Sequence, residues 1–103
     1  MTRDNILQEI KRTLHEVAPD AKAILFGSRA RNDAREDSDW DILILIDKDK
    51  VRNEDFDTVA YPLVELGWTI GEMINPILYT FSEWNKRSFT IFHKNVEEEG
   101  IAI

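Results

Sequence analysis

Residues 24–46 read ILFGSRARNDAREDSDWDILILI, an apolar run, a glycine turn, a polar stretch and a second apolar run. The second run, residues 39–46, is apolar almost without interruption, which is typical of a central strand covered on both faces. The first run, residues 23–26, predicts a shorter buried strand that stops at Gly27. These two strands place a sheet at the centre of the predicted fold.

The segments on either side of this stretch show helical periodicity. Apolar residues spaced by three and four predict an amphipathic helix over residues 3–18, which Pro19 ends. A second long helix is expected over residues 54–66, with Pro62 kinking it or starting a second segment, and with Gly67 closing it. Its predicted apolar face consists of Phe56, Val59, Ala60, Leu63, Val64 and Leu66.

The C-terminal third adds one strand and two helices. Residues 68–80 predict a strand, and Pro76 places it at a sheet edge or a bulge because proline has no N–H for the ladder. A short helix is expected to start at residues 82–84 and a last helix to cover residues 88–98, before a tail at 100–103. The element order predicts an α/β (α+β) fold, a small mixed β-sheet with helices packed on it.

The composition is that of a globular protein. With 103 residues, the chain is expected to form a single domain, residues 1–103. The hydrophobic share of 43% and the charged share of 32% argue against a disordered chain. No apolar run approaches the roughly 20 residues that cross a bilayer, so no membrane association is expected. Because cysteine and a signal-peptide core are both absent, a cytoplasmic location is the expectation.

The net charge of −7 argues against nucleic acid as a partner, since proteins that bind duplexes usually carry a basic stripe. An acidic chain is instead compatible with metal binding or with a basic protein partner. One local exception follows the glycine turn, where Arg29, Arg31 and Arg35 lie close together in the sequence. Arg29 and Arg31 are candidates for contact with an anionic ligand, whereas Arg35, in an acidic loop, is expected at the surface.

Asp39 and Asp41 are the candidates for a metal site. Residues i and i+2 of a strand point to the same face, about 6.5 Å apart, while Trp40 between them points into the core. Two carboxylates so placed can converge on Mg²⁺, which takes one or two protein carboxylates together with substrate phosphate oxygens. Ordinary strand-edge carboxylates are the alternative, but two adjacent acids repel each other without a cation.

The turn at Gly27 and Ser28 is the candidate for phosphate binding. Glycine lets the backbone approach a bulky anion closely, and Ser28, predicted to cap a short helix over residues 28–32, can donate its hydroxyl to a phosphate oxygen. Arg29 and Arg31 can add charge near a triphosphate, although a solvated surface role is equally compatible. A phosphate-binding loop beside a metal-binding strand is the combination that metal-assisted nucleotidyl transfer requires.

Gly27-Ser28, ten further residues and then Asp39-x-Asp41 between apolar flanks resembles the signature of the DNA polymerase beta nucleotidyltransferase superfamily. The minimal nucleotidyltransferase branch is the most similar in length. The resemblance implies a fold like the polymerase beta palm, Mg²⁺ at Asp39 and Asp41, and ATP or another nucleoside triphosphate held at the Gly27-Ser28 turn.

The resemblance also implies a third carboxylate on a later strand. Glu72 is the only acid in the predicted strand 68–80, and it is slightly favoured as the third catalytic residue. Asn75, which lies between Ile74 and Pro76, is the alternative occupant of that position. With Asn75 there, the general base would be missing and activity would be weak or lost.

The activity that the resemblance implies is transfer of a nucleoside monophosphate, with ATP as the favoured donor, to an acceptor hydroxyl. The minimal branch is often paired with a HEPN-domain toxin, whose tyrosine hydroxyl is the acceptor for the antitoxin. Two alternatives stay open. One is transfer to a small molecule such as an aminoglycoside, for which relatives use a further helical domain. The other is a binding module that neutralises a partner by contact alone.

Overall fold

Four strands form one mixed sheet in the computed structural model, which describes all 103 residues. They are β1 (Lys22–Phe26), β2 (Trp40–Ile46), β3 (Ile74–Thr80) and β4 (Ile101–Ala102), in the spatial order β3-β2-β1-β4. β1 is antiparallel to both of its neighbours, β2 and β4, whereas β2 and β3 are parallel. The predicted mixed α+β class and the central place of β2 are therefore confirmed.

Six α-helical segments and one π-helical segment surround the sheet. The α-helical segments are α1 (Arg3–Val17), α2 (Ser28–Arg31), α3 (Asn53–Asp55), α4 (Tyr61–Ile70), α5 (Phe81–Lys86) and α6 (Ile91–Glu99). The π-helical segment, Phe56–Ala60, joins α3 to α4 without a break. No helix has both the length and the apolar character that a bilayer crossing demands.

Helices cover both faces of the sheet, which explains why β2 is apolar at every position from Ile42 to Ile46. Side chains alternate along the strand, so Ile42, Ile44 and Ile46 join the core beneath α1 and α4. Leu43 and Leu45 face the opposite way and pack against Trp84 of α5 and Val96 of α6. Asp41 lies on this second face, because it alternates with buried Trp40.

The end of α4 differs from the prediction. Gly67 does not close the helix but lies buried inside it, where a Cβ atom would collide with the backbone oxygen of Glu72. Gly71 ends the helix instead, in the left-handed conformation with φ of 75°. The predicted strand therefore begins at Ile74 rather than at residue 68, although its edge position is confirmed. Aromatic and β-branched residues such as Trp68, Thr69 and Ile70 are typical of strands, although here they lie in the last turn of the helix.

The π-helical segment accounts for a second difference. Pro62 starts a second helical segment, as one alternative predicted, and lies in the first turn of α4. Tyr61 donates its N–H to the carbonyl of Phe56, five residues back, so the turn before Pro62 is wider than an α turn. Phe56 is 49% exposed and does not share the buried face of Val59 and Leu63 that periodicity predicted, because the wide turn shifts the helical phase.

The C-terminal segment pairs with the sheet, contrary to the predicted tail. Ile101 and Ala102 pair antiparallel with Leu25 and Ile24, and Ile103 donates its N–H to Ala23 at 3.0 Å. Two residues are too few for a recognisable strand pattern. The preceding helix α6 begins at Ile91 rather than at residue 88.

Candidate functional site

The turn after β1 brings a glycine against a carboxylate. Gly27 has φ of 74° and ψ of −158°, a region of backbone conformations that is essentially restricted to glycine. A Cβ atom built at Gly27 would overlap the carboxylate of Asp41, which lies on the neighbouring strand opposite Phe26. The structure therefore places the Asp41 side chain directly against the Gly27 backbone, at the edge where β1 ends and β2 begins.

Asp39 and Asp41 flank Trp40, which is 1% exposed and packs into the core beneath α1 and α4. Asp39 is exposed just before β2, and Asp41 is half-buried within it. Because an extended backbone alternates its side chains, both carboxylates project from the face opposite Trp40. The structure thus brings two predicted site residues, Gly27 and Asp41, into contact and holds Asp39 beside them.

Asn75 occupies the strand position next to Asp41. The parallel pairing of β2 with β3 sets Asn75 opposite Asp41, and Nδ2 of Asn75 donates to Oδ1 of Asp41 at 3.1 Å. Asn75, which the sequence left as the alternative, is therefore the β3 residue that faces the acid pair.

Glu72 lies elsewhere. It precedes β3, so its predicted place on the strand is wrong, because α4 extends to Ile70 and leaves residues 71–73 as a turn. Oε2 of Glu72 accepts a hydrogen bond from Nε1 of Trp40 at 3.2 Å and lies 3.9 Å from Arg29. No group of three or more acidic, histidine or cysteine side chains in the chain is arranged to hold a metal ion.

Arg29 braces the polar stretch between β1 and β2. Its Nη2 donates to the carbonyl oxygens of Ser38 at 2.9 Å and Glu36 at 3.1 Å, and its guanidinium stacks 4.5 Å from the Trp40 ring. Its side chain is 16% exposed. Arg29 therefore positions the segment that leads into Asp39 through Nε and Nη2, while its role as a phosphate ligand stays a prediction.

Arg31 and Ser28 lie on the short helix α2. Arg31 pairs with Asp33 at 3.2 Å and with Glu99 of α6 at 3.3 Å. Hydrogen bonds to Asp33 and then Glu99 raise the pKa of Arg31, so it stays protonated. Ser28 is the first residue of α2 and not its N-cap, which is Gly27, and no side chain caps this helix. The predicted cap is wrong because the chain already turns at Gly27.

The donor set suits one hard cation. Asp39 and Asp41 provide carboxylate oxygens on one edge, and Mg²⁺ needs one or two such carboxylates when substrate phosphates supply further ligands. At the position where a third carboxylate would bind a second cation, the chain has the amide of Asn75. The protein groups present therefore fit one Mg²⁺ held with a nucleotide better than a pair of cations.

A cleft of about 200 Å³ lies beside Gly27, between the end of β1 and α6. It is lined by Phe26, Gly27, Arg31, Phe92, Asn95, Val96 and Glu99. The residues of α6 belong to no motif that marks a site, because they approach the glycine turn only when this helix packs across β1. No local pattern in residues 91–99 indicates that contact.

Comparisons with known proteins show the family and the fold of the chain. Residues 5–102 match the model of a family described as the nucleotidyltransferase domain. A protein of Methanocaldococcus jannaschii, named as a candidate protein adenylyltransferase, is 44% identical over 79 residues, which span 77% of this chain and 73% of that protein. A chain from a toxin–antitoxin crystal structure with AMP-PNP superposes with a TM-score of 0.65 over 98% of this chain and 72% of that one. At 19% identity, the last similarity shows the fold alone.

Proposed function

The chain belongs to the nucleotidyltransferase domain family, and from that premise we propose that it transfers AMP from ATP to a hydroxyl group of a partner protein. The adenylyl group and the protein acceptor are supported by the name of the Methanocaldococcus jannaschii relative. AMP-PNP in the toxin–antitoxin structure of the same fold is consistent with an adenine nucleotide as donor.

The observation that carries the proposal is the contact between Gly27 and the carboxylate of Asp41. Because Gly27 has no side chain, the Asp41 carboxylate lies directly against the turn, so a cation held by the acid pair and phosphate oxygens held by the turn would be close to each other. In the proposed complex, the Gly27-Ser28 turn would hold phosphate oxygens, and Asp39 and Asp41 would provide the negative ligands for Mg²⁺. The ion would supply positive charge that offsets the charge of the triphosphate.

The transfer itself is a displacement at the α-phosphorus. The acceptor oxygen forms a new bond to that phosphorus and gives its proton to water, while the bond between the phosphorus and the bridging oxygen of the β-phosphate breaks and pyrophosphate leaves. Gly27 and Ser28 position the triphosphate in this scheme, while Arg29 keeps the segment before Asp39 in place. Positioning of this kind, together with electrostatic stabilisation, accounts for most of the catalysis of phosphoryl-group transfer.

The acceptor in this proposal is a HEPN-domain toxin, with the chain acting as its antitoxin. The loop between α5 and α6 supports a protein partner, since Phe89 is 85% exposed and Ile91 is 77% exposed. Thr90 caps α6 through its hydroxyl, which accepts from the N–H of His93 at 3.1 Å, so these apolar side chains are held on an ordered turn. Exposed apolar anchors on a fixed backbone are typical of protein interfaces.

A second function is favoured by one observation. Asn75 faces Asp41 where the family resemblance implies a third acid, and no set of three metal-binding side chains is present. A domain lacking a general base would transfer slowly or not at all, and it would act by binding its partner. The two functions differ in whether partner neutralisation needs Asp39 and Asp41.

Intact-mass spectrometry tests the proposal. The purified protein is mixed with ATP, Mg²⁺ and the protein encoded beside it, and each chain is examined for added AMP. The site variant is Asp39→Asn/Asp41→Asn. The matched control is Asp47→Asn/Asp49→Asn, an exposed pair with the same spacing just after the other end of β2. The proposal expects AMP on the partner with wild type and with the control, and none with the site variant.

Each outcome decides between the two functions. No AMP on either chain, while the two proteins still form a complex, refutes transfer to this partner and supports the binding module. Equal AMP addition by the site variant and the wild type refutes the assigned site. Circular dichroism of both variants shows whether the fold is retained, which makes the loss attributable to the carboxylates.

A further inference from the structure

The cleft between β1 and α6 shares Gly27 with the proposed phosphate site. One side of the Gly27 backbone contacts Asp41, and the same residue lines this cleft of about 200 Å³. Pockets that enclose a whole drug-sized ligand usually measure about 300–1,000 Å³. The cleft is therefore the right size for one part of a nucleotide whose phosphates lie at the neighbouring turn.

The electrostatic character of the cleft excludes the phosphates as its occupant. Its two charged residues, Arg31 and Glu99, pair with each other at 3.3 Å, so the lining carries no net charge. The remaining lining is apolar or amide. An uncharged ring suits this surface better than a group with several negative charges, because Arg31 is already neutralised by acidic partners.

Two residue types in the cleft match a nucleobase. Phe26 and Phe92 meet edge to face, with centroids 5.5 Å apart and planes at 75°, and both rings are partly exposed. Aromatic rings of this kind stack on bases with little sequence preference. Asn95 is exposed on the same side of α6, one turn from Phe92, and its amide presents a donor and an acceptor together.

We propose that this cleft binds the nucleobase of the donor, with Phe92 stacking on the ring and Asn95 reading the N6 and N7 edge of adenine. An asparagine amide can donate to adenine N7 while it accepts from the N6 amino group. Guanine presents acceptors at both N7 and O6, so the amide oxygen would face O6. Asn95 is thus a specificity-determining residue for ATP, an inference that rests on the proposed function.

Nucleotide binding without any acceptor tests this assignment. Dissociation constants for ATP and GTP are measured by calorimetry with Mg²⁺ for wild type, Asn95→Ala and the control Glu98→Gln, an exposed residue of α6 that does not line the cleft. Asn95→Ala is expected to weaken ATP binding about tenfold and to leave GTP binding within about twofold, so the preference for ATP falls. Glu98→Gln is expected to keep the preference.

A nucleotide lacking the N7 acceptor gives a sharper test. 7-Deaza-ATP should bind wild type more weakly than ATP does, whereas Asn95→Ala should bind the two equally, because the interaction is already absent. The assignment of Asn95 is overturned if Asn95→Ala prefers ATP over GTP as strongly as wild type does. It is also overturned if Asn95→Ala loses as much affinity as wild type does when 7-deaza-ATP replaces ATP. Wild type that binds no nucleoside triphosphate overturns the proposed function as well, which distinguishes the two failures.

Discussion

Asn75 and Asp41 face each other across the parallel strands β2 and β3, and the amide of Asn75 donates to Oδ1 of Asp41 over 3.1 Å. The amide satisfies one carboxylate oxygen without adding a charge. Two acids instead of three therefore lie at this edge, and their mutual repulsion in the nucleotide-free protein is correspondingly smaller. The rate of nucleotidyl transfer is therefore set by a site with two carboxylates instead of three.

Asn75→Asp is expected to place a third carboxylate at this edge. Without a cation, the new charge beside Asp41 should lower the free energy of unfolding by about 1 kcal/mol, because like charges at this separation repel. Mg²⁺ should restore that loss, and transfer of AMP should become at least about tenfold faster, since a cation gains a ligand. Thermal unfolding with and without Mg²⁺, together with the transfer rate, measures these effects. Asn75→Ser provides the control, since it removes the amide and adds no charge.

Glu72→Gln is expected to be nearly silent. A glutamine oxygen can still accept from Nε1 of Trp40, and only the partly exposed charge contact with Arg29 at 3.9 Å is lost. Stability should change by less than about 1 kcal/mol, and transfer should slow by no more than about threefold. Asp41→Asn should slow transfer more than about 100-fold in the same assay. Comparable losses from the two variants would return Glu72 to the catalytic set.

Gly27 and Gly71 form a matched pair for testing the turn. Both have positive φ, at 74° and 75°, so alanine should cost about 1–2 kcal/mol of stability at Gly71, which is left-handed, and more at Gly27, whose ψ of −158° is essentially restricted to glycine. Only at Gly27 does the added Cβ meet another group, the Asp41 carboxylate, whereas nothing lies within 4 Å at Gly71. Gly27→Ala should therefore abolish ATP binding and Gly71→Ala should retain it, as measured by urea unfolding and calorimetry. Retained binding in Gly27→Ala would contradict the site.

Asp55 should make the free energy of unfolding depend on pH in the acidic range. The hydrogen bond from Lys48, at 2.6 Å, and the one from the N–H of Arg52 lower the pKa of Asp55, against the opposing effect of burial. A carboxyl whose pKa is lower in the folded state contributes stability that is complete above its unfolded pKa and is lost as the pH falls through the folded value. Wild type should therefore exceed Asp55→Asn in stability at neutral pH, by about 1 kcal/mol or more.

That difference should narrow as the pH falls below about 4, because the carboxyl of the unfolded chain takes up its proton first and the folded carboxyl follows at lower pH. Urea unfolding of both proteins at about pH 7 and about pH 3 measures it. Asp47→Asn, an exposed neighbour in the sequence, is the control and should show the same small difference from wild type at both pH values. If the stability difference between wild type and Asp55→Asn is the same at both pH values, titration of Asp55 is not its cause.

The predictable part of this fold is the part that local pattern encodes. β2 was evident from its uninterrupted apolar residues, and α1 from its apolar spacing and Pro19. The end of α4 was not, because Gly67 and Gly71 look alike in sequence. Only tertiary packing shows that Gly67 has no room for a side chain and that Gly71 carries the left-handed turn.

The site, like the fold, has a part that local pattern predicts and a part that depends on long-range packing. The alternation of side chains along a strand predicts Asp39 and Asp41 on either side of Trp40, and the need for a turn before a ligand predicts Gly27. The choice between Glu72 and Asn75 required the register of two parallel strands, because a start at Ile74 turns Asn75 toward Asp41. Asn95 can be assigned to the cleft only from the packing of α6 across β1. Register and helix packing are long-range properties that a single sequence does not display.

The π-helical segment Phe56–Ala60 has a consequence for how the chain tolerates changes in length. A π turn holds one more residue than an α turn, so deleting one residue there could leave a regular α-helix from Asn53 to Ile70. Because the deletion removes the residue that the wide turn accommodates, α3 and α4 would keep their relative orientation. Asp55 would keep its hydrogen bond with Lys48, and Leu63 would keep its place in the core. The chain should therefore tolerate the loss of one residue here better than the loss of one residue from the regular part of α4, which would rotate the residues on its two sides by about 100° relative to each other.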